Sequence, residues 1–145
     1  MELLQAVKTD DLDRALAAVL AHFACQVGTI HVLEADGQLH LRAHSKGLPD
    51  HIVAAARVVP IGKGIAGLAA QHKTAINECN LARSADPRIP DSVKSSGVLG
   101  AVCVPMMKGD DVVGTLGVAV LKERDFTQAE EELLTHVARI IASQL

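Results

Sequence analysis

Three cysteines are the first candidates for chemistry in this sequence, because a thiolate can act as a nucleophile, a redox centre or a metal ligand. Cys25, Cys79 and Cys103 are widely spaced and odd in number, and they form neither a Cys-x-x-Cys pair nor a disulfide framework. Cys25 and Cys103 lie in apolar stretches, where a thiol usually behaves as a small buried side chain. Cys79 lies in the polar run 77–80 and is the thiol that we expect to be accessible.

Three histidines, His31, His40 and His44, suggest a metal or haem site. On an extended strand, the Cβ atoms of His40 and His44 would share one face about 13 Å apart, too far to ligate one ion from that strand alone. No cysteine or carboxylate completes a ligand set at a suitable spacing, so no metal site is predicted. We interpret these residues as solvated histidines, with a single axial haem ligand, His31 or His44, as the alternative.

A glycine pattern, Gly62-x-Gly64-x-x-Gly67, has the formal spacing of a dinucleotide-binding fingerprint. It precedes a short predicted helix that is not part of a βαβ unit, so we do not interpret it as a phosphate site. His72 and Lys73 at the other end of that helix complement the helix dipole and need no functional explanation.

The composition indicates one aliphatic globular domain. Of the 145 residues, 49% are hydrophobic, but only two are Phe and none is Trp or Tyr. A formal net charge of -3 gives no reason to expect a nucleic-acid partner, because proteins that bind nucleic acid usually carry a basic face. No apolar run approaches the roughly 18 residues of a membrane span, and the first residues lack the basic region of a signal peptide. We therefore expect a soluble, cytoplasmic protein.

A β-hairpin near the C-terminus is the element that would position a site. Two apolar runs, 98–107 and 112–121, flank a polar turn in which Gly109 can adopt a positive φ. Neither run alternates between apolar and polar residues, so both are predicted to be central strands covered on two faces. A one-residue bulge at Gly109 would collect the large side chains of both strands on one face and the small ones on the other. We favour this arrangement, because the small-residue face leaves room for a ligand.

The remaining patterns predict helices and a second hairpin. A helix at 11–25 is preceded by Asp10 as N-cap, and a helix at 127–145 begins with the capping box of Thr127 and Glu130. Residues 1–9 form a helical extension. A hairpin at 29–34 and 38–45 has a second strand that is half polar, typical of a sheet edge or the wall of a wet cavity. Short helices are predicted at 50–56 and 65–72, followed by a long irregular segment at 80–97.

This element order and several local motifs resemble the GAF domain family. Residues 60–67 are similar to the family's entry into a pocket-side helix, and residues 85–88 to the loop that follows. Residues 97–106, 112–117 and 126–127, with Glu131 and Leu134, are similar to its last strands and closing helix. The resemblance implies an α+β, PAS-like fold: a central antiparallel sheet of five to six strands, with the N- and C-terminal helices on one face. On the other face, short helices and loops cover a small-molecule pocket.

The family binds cyclic nucleotides, bilins, haem or small metabolites, and each specialised branch has its own motif. Against the cyclic-nucleotide motif, Lys122, Phe126 and Glu131 match, whereas Leu121 and Glu130 replace an Asn and an Asp. A covalent bilin is not expected, because no cysteine of this sequence is followed by His.

One branch reduces free methionine sulfoxide, a chemistry that needs a nucleophilic and a resolving cysteine. That branch places a cysteine in the segment that corresponds to 64–67, and none is present here. We therefore expect no enzymatic activity and no catalytic residue. A reductase that uses Cys79 or Cys103 is the less favoured alternative.

The sequence thus predicts a single-domain, stand-alone sensor or regulatory module that binds an unidentified small molecule between the sheet and the helix at 65–72. The alternative is a dimerisation module whose pocket is filled by side chains. We expect a homodimer through the terminal helices and no membrane partner; the cofactor is unknown. The candidate ligand-binding residues are His31, Arg42, Ile65, Ala69, Asn80, Arg88, Ser96, Ala101 and Cys103.

Overall fold

The chain folds into a six-stranded antiparallel sheet with helices on both faces. The structure, a computed structural model, describes residues 2–145 apart from the side chain at position 92. The helices are α1 (Glu2–Ala6), α2 (Leu12–Phe23), α3 (Asp50–Ala56), α4 (Gly64–His72), α5 (Asp91–Lys94) and α6 (Gln128–Ser143). The strands are β1 (Val27–Leu33), β2 (Gln38–His44), β3 (Val58–Pro60), β4 (Ile76–Glu78), β5 (Gly100–Lys108) and β6 (Asp111–Val120).

The strands are arranged in the order β3-β2-β1-β6-β5-β4, and every neighbouring pair is antiparallel. The predicted α+β fold class is therefore confirmed. β5 and β6, which were predicted as central strands, lie in the interior of the sheet together with β1. β2 was predicted as a possible edge, but β3 pairs with it through residues 38–40 and forms the edge instead.

The predicted sorting of side chains by size is confirmed. On β5 and β6 the large residues Val102, Val104, Leu116 and Val118 belong to one core with α1, α2 and α6. The small residues alternate with them, and register pairs Ala101 with Ala119 and Cys103 with Gly117 on the opposite face. Large side chains thus meet the long helices, and small ones leave space beneath α3, α4 and α5.

The bulge that produces this sorting lies elsewhere than predicted. Gly109 does adopt a positive φ of 61°, but it belongs to a tight two-residue turn between Lys108 and Asp111. The register instead shifts between Met106 and Met107, where Val113 is the extra residue on β6. The sequence indicated that a bulge was needed, but not which position would accommodate it.

A second bulge corrects the interpretation of the first hairpin. The register pairs Ile30 with Ala43 but His31 with Leu41, so Arg42 is the extra residue on β2. Since side chains alternate along a strand, this bulge reverses the faces on either side of it. His44 lies opposite Thr29 and His40 opposite Val32, so the two histidines face opposite sides of the sheet. The prediction that His40 and His44 share a strand face is therefore wrong.

The terminal helices form the layer on the large-residue face. α6 has the predicted capping box, with the Thr127 hydroxyl accepting from the Glu130 amide and the Glu130 carboxylate accepting from the Thr127 amide. α2 begins one residue later than predicted, because Asp11 rather than Asp10 is its N-cap. Much of the apolar surface of the terminal segments is used within the chain itself, because Leu3, Val7, Leu134 and Ile141 are buried.

Candidate ligand-binding site

A cavity with two lobes lies between the small-residue face of the sheet and the short helices. The inner lobe, of about 140 Å³, has a floor formed by Val27, Thr29, Ala101, Gly117 and Ala119. The outer lobe, of about 260 Å³, lies between β1, α3, β3 and the start of α4. Four residues line both lobes: Thr29, Ile52, Ile65 and Val93. Because they share these four residues, the two lobes are adjacent.

Small residues on the central strands create the inner lobe. A Cβ atom added to Gly117 would lie 3.3 Å from the Thr29 hydroxyl oxygen and 3.6 Å from the Cys103 sulfur. Ala101 is fully buried on the floor, and Leu81 and Ile89 pack around it to close the far side. The volume of the lobe is therefore set by how little side chain β5 and β6 place on this face.

His31 connects the sheet to α3, which forms one wall of the outer lobe. Its side chain is 2% exposed, and its Nε2 lies 2.7 Å from the Ala56 carbonyl oxygen at the end of α3. Because a carbonyl oxygen can only accept, Nε2 carries the proton, and the neutral ring keeps a lone pair on Nδ1. Nδ1 has no hydrogen-bond partner among the described residues. Burial lowers the pKa of His31, with the Ala56 carbonyl opposing this effect, so the ring is held neutral.

Thr29 is the polar residue at the junction of the two lobes. Its side chain projects from β1 on the small-residue face, opposite Gly117 on β6. Within residues 2–145 no described group forms a hydrogen bond with its hydroxyl. Ser96, which lines the inner lobe, differs in this respect: its hydroxyl donates to the Val93 carbonyl oxygen at 2.6 Å and accepts from the Val98 amide.

The cysteines do not contribute a reactive group to this cavity. Cys103 lies on the small-residue face, but burial raises its pKa to about 12. Cys25 lies on the helix face, where burial also raises its pKa. Cys79 is exposed, in a separate depression beside Asn80 and Asp86. A buried thiol with a raised pKa is a poor nucleophile.

The structure brings together four of the residues predicted to contact a ligand. His31 and Ile65 line the outer lobe, and Ile65, Ser96 and Ala101 line the inner lobe. Two further residues, Ala69 and Cys103, are buried and line neither lobe.

The other three predicted residues lie elsewhere, each with a partner. The Arg42 guanidinium forms an ion pair with Glu34. The Asn80 amide donates to Glu123 at 2.6 Å, and the Arg88 guanidinium pairs with Asp86 at 3.0 Å. Each of these side chains bonds to a charged side chain outside the cavity, and none of the three lines either lobe.

Several lining residues were missed by the sequence analysis, chiefly Thr29 on β1, Ile52 and Ala56 on α3, and Val93 on α5. Thr29 could have been found, since it is a hydroxyl residue in an apolar strand that lies on the same face as His31. The lining residues of the short helices were harder to predict, because α3 has no fully buried residue and its sequence pattern indicates no inward face.

The described part of the chain holds no cluster of three His, Cys, Asp or Glu side chains that could bind a metal ion. Among the helices of residues 2–145, none is both long and apolar enough to cross a membrane.

Comparisons with known proteins identify the fold. The family model of the GAF domain matches residues 9–145. No curated protein matches the chain. Among solved structures, the GAF domain of a phosphoenolpyruvate-protein phosphotransferase from Acinetobacter has a TM-score of 0.81 at 23% identity, covering 99% of this chain and 87% of that one.

Two reductases share the same architecture. The type II free methionine-R-sulfoxide reductase from Thermoplasma acidophilum has a TM-score of 0.78 at 19% identity, covering 98% of this chain and 94% of that one. The free methionine-R-sulfoxide reductase from Neisseria meningitidis, solved with its substrate, has a TM-score of 0.80 at 17% identity, covering 99% and 86%. At these identities the likeness shows the fold alone. With the family match over nearly all of its length, the chain belongs to the GAF domain family.

Proposed function

We propose that this chain is a non-catalytic regulatory module that binds a small molecule in the two-lobed cavity. The observation that carries the proposal is an apolar cavity with two polar side chains on its walls, those of Thr29 and His31, of which the His31 Nδ1 atom has no hydrogen-bond partner among the described residues. Small-molecule sites are typically apolar clefts in which a few convergent polar groups fix orientation. A pocket filled by side chains, the alternative reading of the sequence, would not leave this space.

The thiols support the non-catalytic part of the proposal. Reduction of a sulfoxide by cysteines needs an accessible thiolate and a second thiol to resolve the intermediate. Cys25 and Cys103 are buried with raised pKa values, and only Cys79 is exposed. The free methionine-R-sulfoxide reductases share the fold with this chain, but the cavity described here has no thiol in its lining.

We further propose that the module forms a homodimer through its terminal helices. Leu4, Leu133 and Ile140 are half-buried at the outer side of the α1, α2 and α6 layer, and Leu145 is 42% exposed. These residues are the apolar surface that the helices retain after Leu3, Val7 and Ile141 are buried within the chain. In this arrangement the ligand lies on one side of the sheet, and the partner contacts the helices that cover the other side.

A volume test examines the binding proposal. Ala101→Leu adds three carbons to the floor of the inner lobe, and Ala17→Leu adds the same atoms on the exposed side of α2. Native mass spectrometry of the purified protein would reveal a co-purified ligand, and ligand-observed NMR with indole, hexanoate and hexanamide would reveal an empty but competent site. We expect binding by the wild type and by Ala17→Leu, and its loss in Ala101→Leu. Absence of binding by the wild type, or equal binding by Ala101→Leu, would contradict the proposal.

A further inference from the structure

The inner lobe has the size of a site for one small ring. Its volume of about 140 Å³ is close to the roughly 150 Å³ of an engineered apolar protein cavity that binds benzene. Apart from Thr29 and Ser96, the described residues that line it are glycines or carry aliphatic side chains, and none of them is charged. The body of a ligand that matches this lobe is therefore small, apolar and uncharged.

The floor of the lobe favours a flat molecule. Register pairs Ala101 with Ala119 across β5 and β6, and Gly117 precedes Ala119 by two residues on the same face. These three residues have at most a Cβ atom, so this part of the floor is close to bare backbone. Ile52 on α3 and Ile65 on α4 line the lobe from the other side. A ring can lie along the strands with the two isoleucines against its other face.

One hydroxyl group of the lining is free to bond with a ligand. The Ser96 hydroxyl already donates to the Val93 carbonyl oxygen and accepts from the Val98 amide. Thr29 is half-buried at the junction of the lobes, and its hydroxyl forms no hydrogen bond within the described part of the chain. A hydroxyl can donate a hydrogen bond or accept one. The polar group of the ligand therefore belongs beside Thr29.

His31 does not provide a second anchor in the inner lobe. It lines the outer lobe, its Nε2 donates to the Ala56 carbonyl oxygen, and its Nδ1 is fully buried. Lys63 also lines the outer lobe, and it is exposed to water. Neither residue therefore offers a hydrogen bond or a compensating charge to a ligand in the inner lobe.

This lining disfavours an ionised ligand. A charged group loses far more hydration free energy than a hydroxyl does when it enters an apolar site, and only a countercharge or several hydrogen bonds offset that loss. The described residues that line the inner lobe supply one free hydroxyl and no countercharge. A single hydroxyl on the ligand, in contrast, is satisfied by one hydrogen bond with Thr29.

We propose that the inner lobe binds an uncharged six-membered ring that carries one hydroxyl group, with the ring against the floor of β5 and β6 and the hydroxyl on Thr29. This inference rests on the proposed function and names the class of ligand for that same site.

Small ring compounds that differ in one group provide the test. Phenol and toluene differ by a hydroxyl in place of a methyl, and benzyl alcohol and benzoate differ by a charge. Binding would be measured by NMR titration of the isotopically labelled protein at constant ionic strength. We expect phenol to shift the amide signals of Ala101, Gly117 and Ala119, but not that of Ala17 on the exposed side of α2. We expect benzyl alcohol to bind at least tenfold more tightly than benzoate, because the carboxylate has no partner in the lobe.

A chain alcohol tests whether the site prefers a ring. Hexan-1-ol has six carbons and one hydroxyl, as phenol has, but its chain loses internal rotations on binding. We therefore expect phenol to bind at least threefold more tightly than hexan-1-ol. Tighter binding of hexan-1-ol would contradict the preference for a ring.

A pair of threonine variants isolates the hydroxyl. Thr29→Val removes the hydroxyl and keeps the shape of the side chain. Thr115→Val makes the same change on β6, where Thr115 lies on the same face, lines neither lobe, and has no hydrogen-bond partner for its hydroxyl among the described residues. We expect Thr29→Val to weaken phenol binding about fivefold, as the loss of one hydrogen bond does, without weakening toluene binding. Thr115→Val should change neither.

The outcomes separate this inference from the function on which it rests. If Thr29→Val weakens phenol and toluene equally, or if benzoate binds as tightly as benzyl alcohol, the inference is wrong. If phenol does not bind, but hexanoate or hexanamide binds the wild type and is lost in Ala101→Leu, the cavity binds small molecules and only the inference fails. If none of these compounds binds and no ligand co-purifies, the proposed function and the inference both fail.

Discussion

The Nε2 atom of His31 lies 2.7 Å from the carbonyl oxygen of Ala56. A buried imidazole on β1 is thus hydrogen-bonded to the last residue of α3. α3 has no fully buried residue of its own. This hydrogen bond is therefore a principal polar contact between the helix and the sheet, and it closes one wall of the outer lobe. Opening of the cavity along this wall requires that the bond be broken.

The first prediction concerns the local stability of α3. His31→Leu removes the donor to Ala56 while keeping a similar side-chain volume. The change also removes the unpartnered Nδ1, so we expect the global free energy of unfolding to change by less than about 1 kcal/mol. We expect the amides at the end of α3 to exchange with deuterium about fivefold faster, corresponding to ~1 kcal/mol of local opening. Hydrogen exchange followed by NMR would measure this, with His51→Leu, an exposed change on the same helix, as control. Unchanged exchange at Ala55 and Ala56 in His31→Leu would contradict the assigned role.

The second prediction is a pH dependence of stability. The pKa of His31 is lowered below its ordinary value of 6.5 by burial, so the unfolded chain binds more protons than the folded one as the pH falls below that value. The free energy of unfolding should therefore decrease between pH 6.5 and the folded-state pKa, by at most about 1.4 kcal/mol per pH unit for one group. Asp36, Asp86 and Glu130 have lowered pKa values, so their contributions are lost only below about pH 4.5.

Urea unfolding at pH 7 and pH 5 would test this prediction. Wild-type protein should lose more stability over this interval than His31→Leu, which has no imidazole at this position. The remaining histidines are common to both proteins and cancel in the difference. Equal losses in the two proteins would show that His31 does not titrate in this way.

The third prediction uses two glycines on β6 to test the packing of the sheet. A Cβ atom at Gly114 would lie 2.2 Å from the backbone oxygen of His31, whereas at Gly117 the nearest atom is the Thr29 hydroxyl oxygen at 3.3 Å. Backbone cannot move aside as a side chain can. Gly114→Ala should therefore lower the free energy of unfolding by about 2–3 kcal/mol, and Gly117→Ala by less than about 1 kcal/mol. Denaturant unfolding compares the two, and equal effects would contradict the register of β1 and β6.

The fold and the faces of the central strands could be predicted because their signals are local. Apolar runs, the turn at Gly109 and the Thr127 capping box each specify structure within a few residues. The alternation of Val102 and Val104 with Ala101 and Cys103 correctly predicted which face of β5 packs against the long helices and which face leaves space for a cavity. The positions of the bulges could not be predicted, since they depend on how two distant strands match in register.

The candidate site could be predicted only in part, for a related reason. Ala101, Ile65 and His31 were found because the strand or helix that carries them fixes the direction of the side chain. Arg42 and Asn80 were predicted from polarity alone, and long polar side chains bond to whichever charge is nearest, here Glu34 and Glu123. The walls contributed by α3 and α5 come from short segments whose position depends on tertiary contacts.

The fourth prediction addresses catalysis through the reactivity of the thiols. In native protein we expect one thiol, Cys79, to react rapidly with a disulfide reagent, because Cys25 and Cys103 are buried. All three should react in urea, and Cys79→Ser should abolish the rapid phase. For the same reason we expect no reduction of free methionine sulfoxide with a dithiol reductant. Turnover that disappears in Cys79→Ser or Cys103→Ser would overturn the non-catalytic proposal.

The final prediction concerns self-association through the terminal helices. Ile140 is half-buried on α6, next to Ile141, which is fully buried against the sheet. Ile140→Glu and Leu4→Glu should therefore weaken a dimer while leaving the fold intact, because each charge can remain in water in the monomer. Ile141→Glu should instead unfold the protein, since a lone charge in the core costs several kcal/mol. Sedimentation velocity at micromolar concentrations, with circular dichroism as the check on folding, would separate the two effects. A wild-type protein that sediments as a monomer over this range would contradict the homodimer.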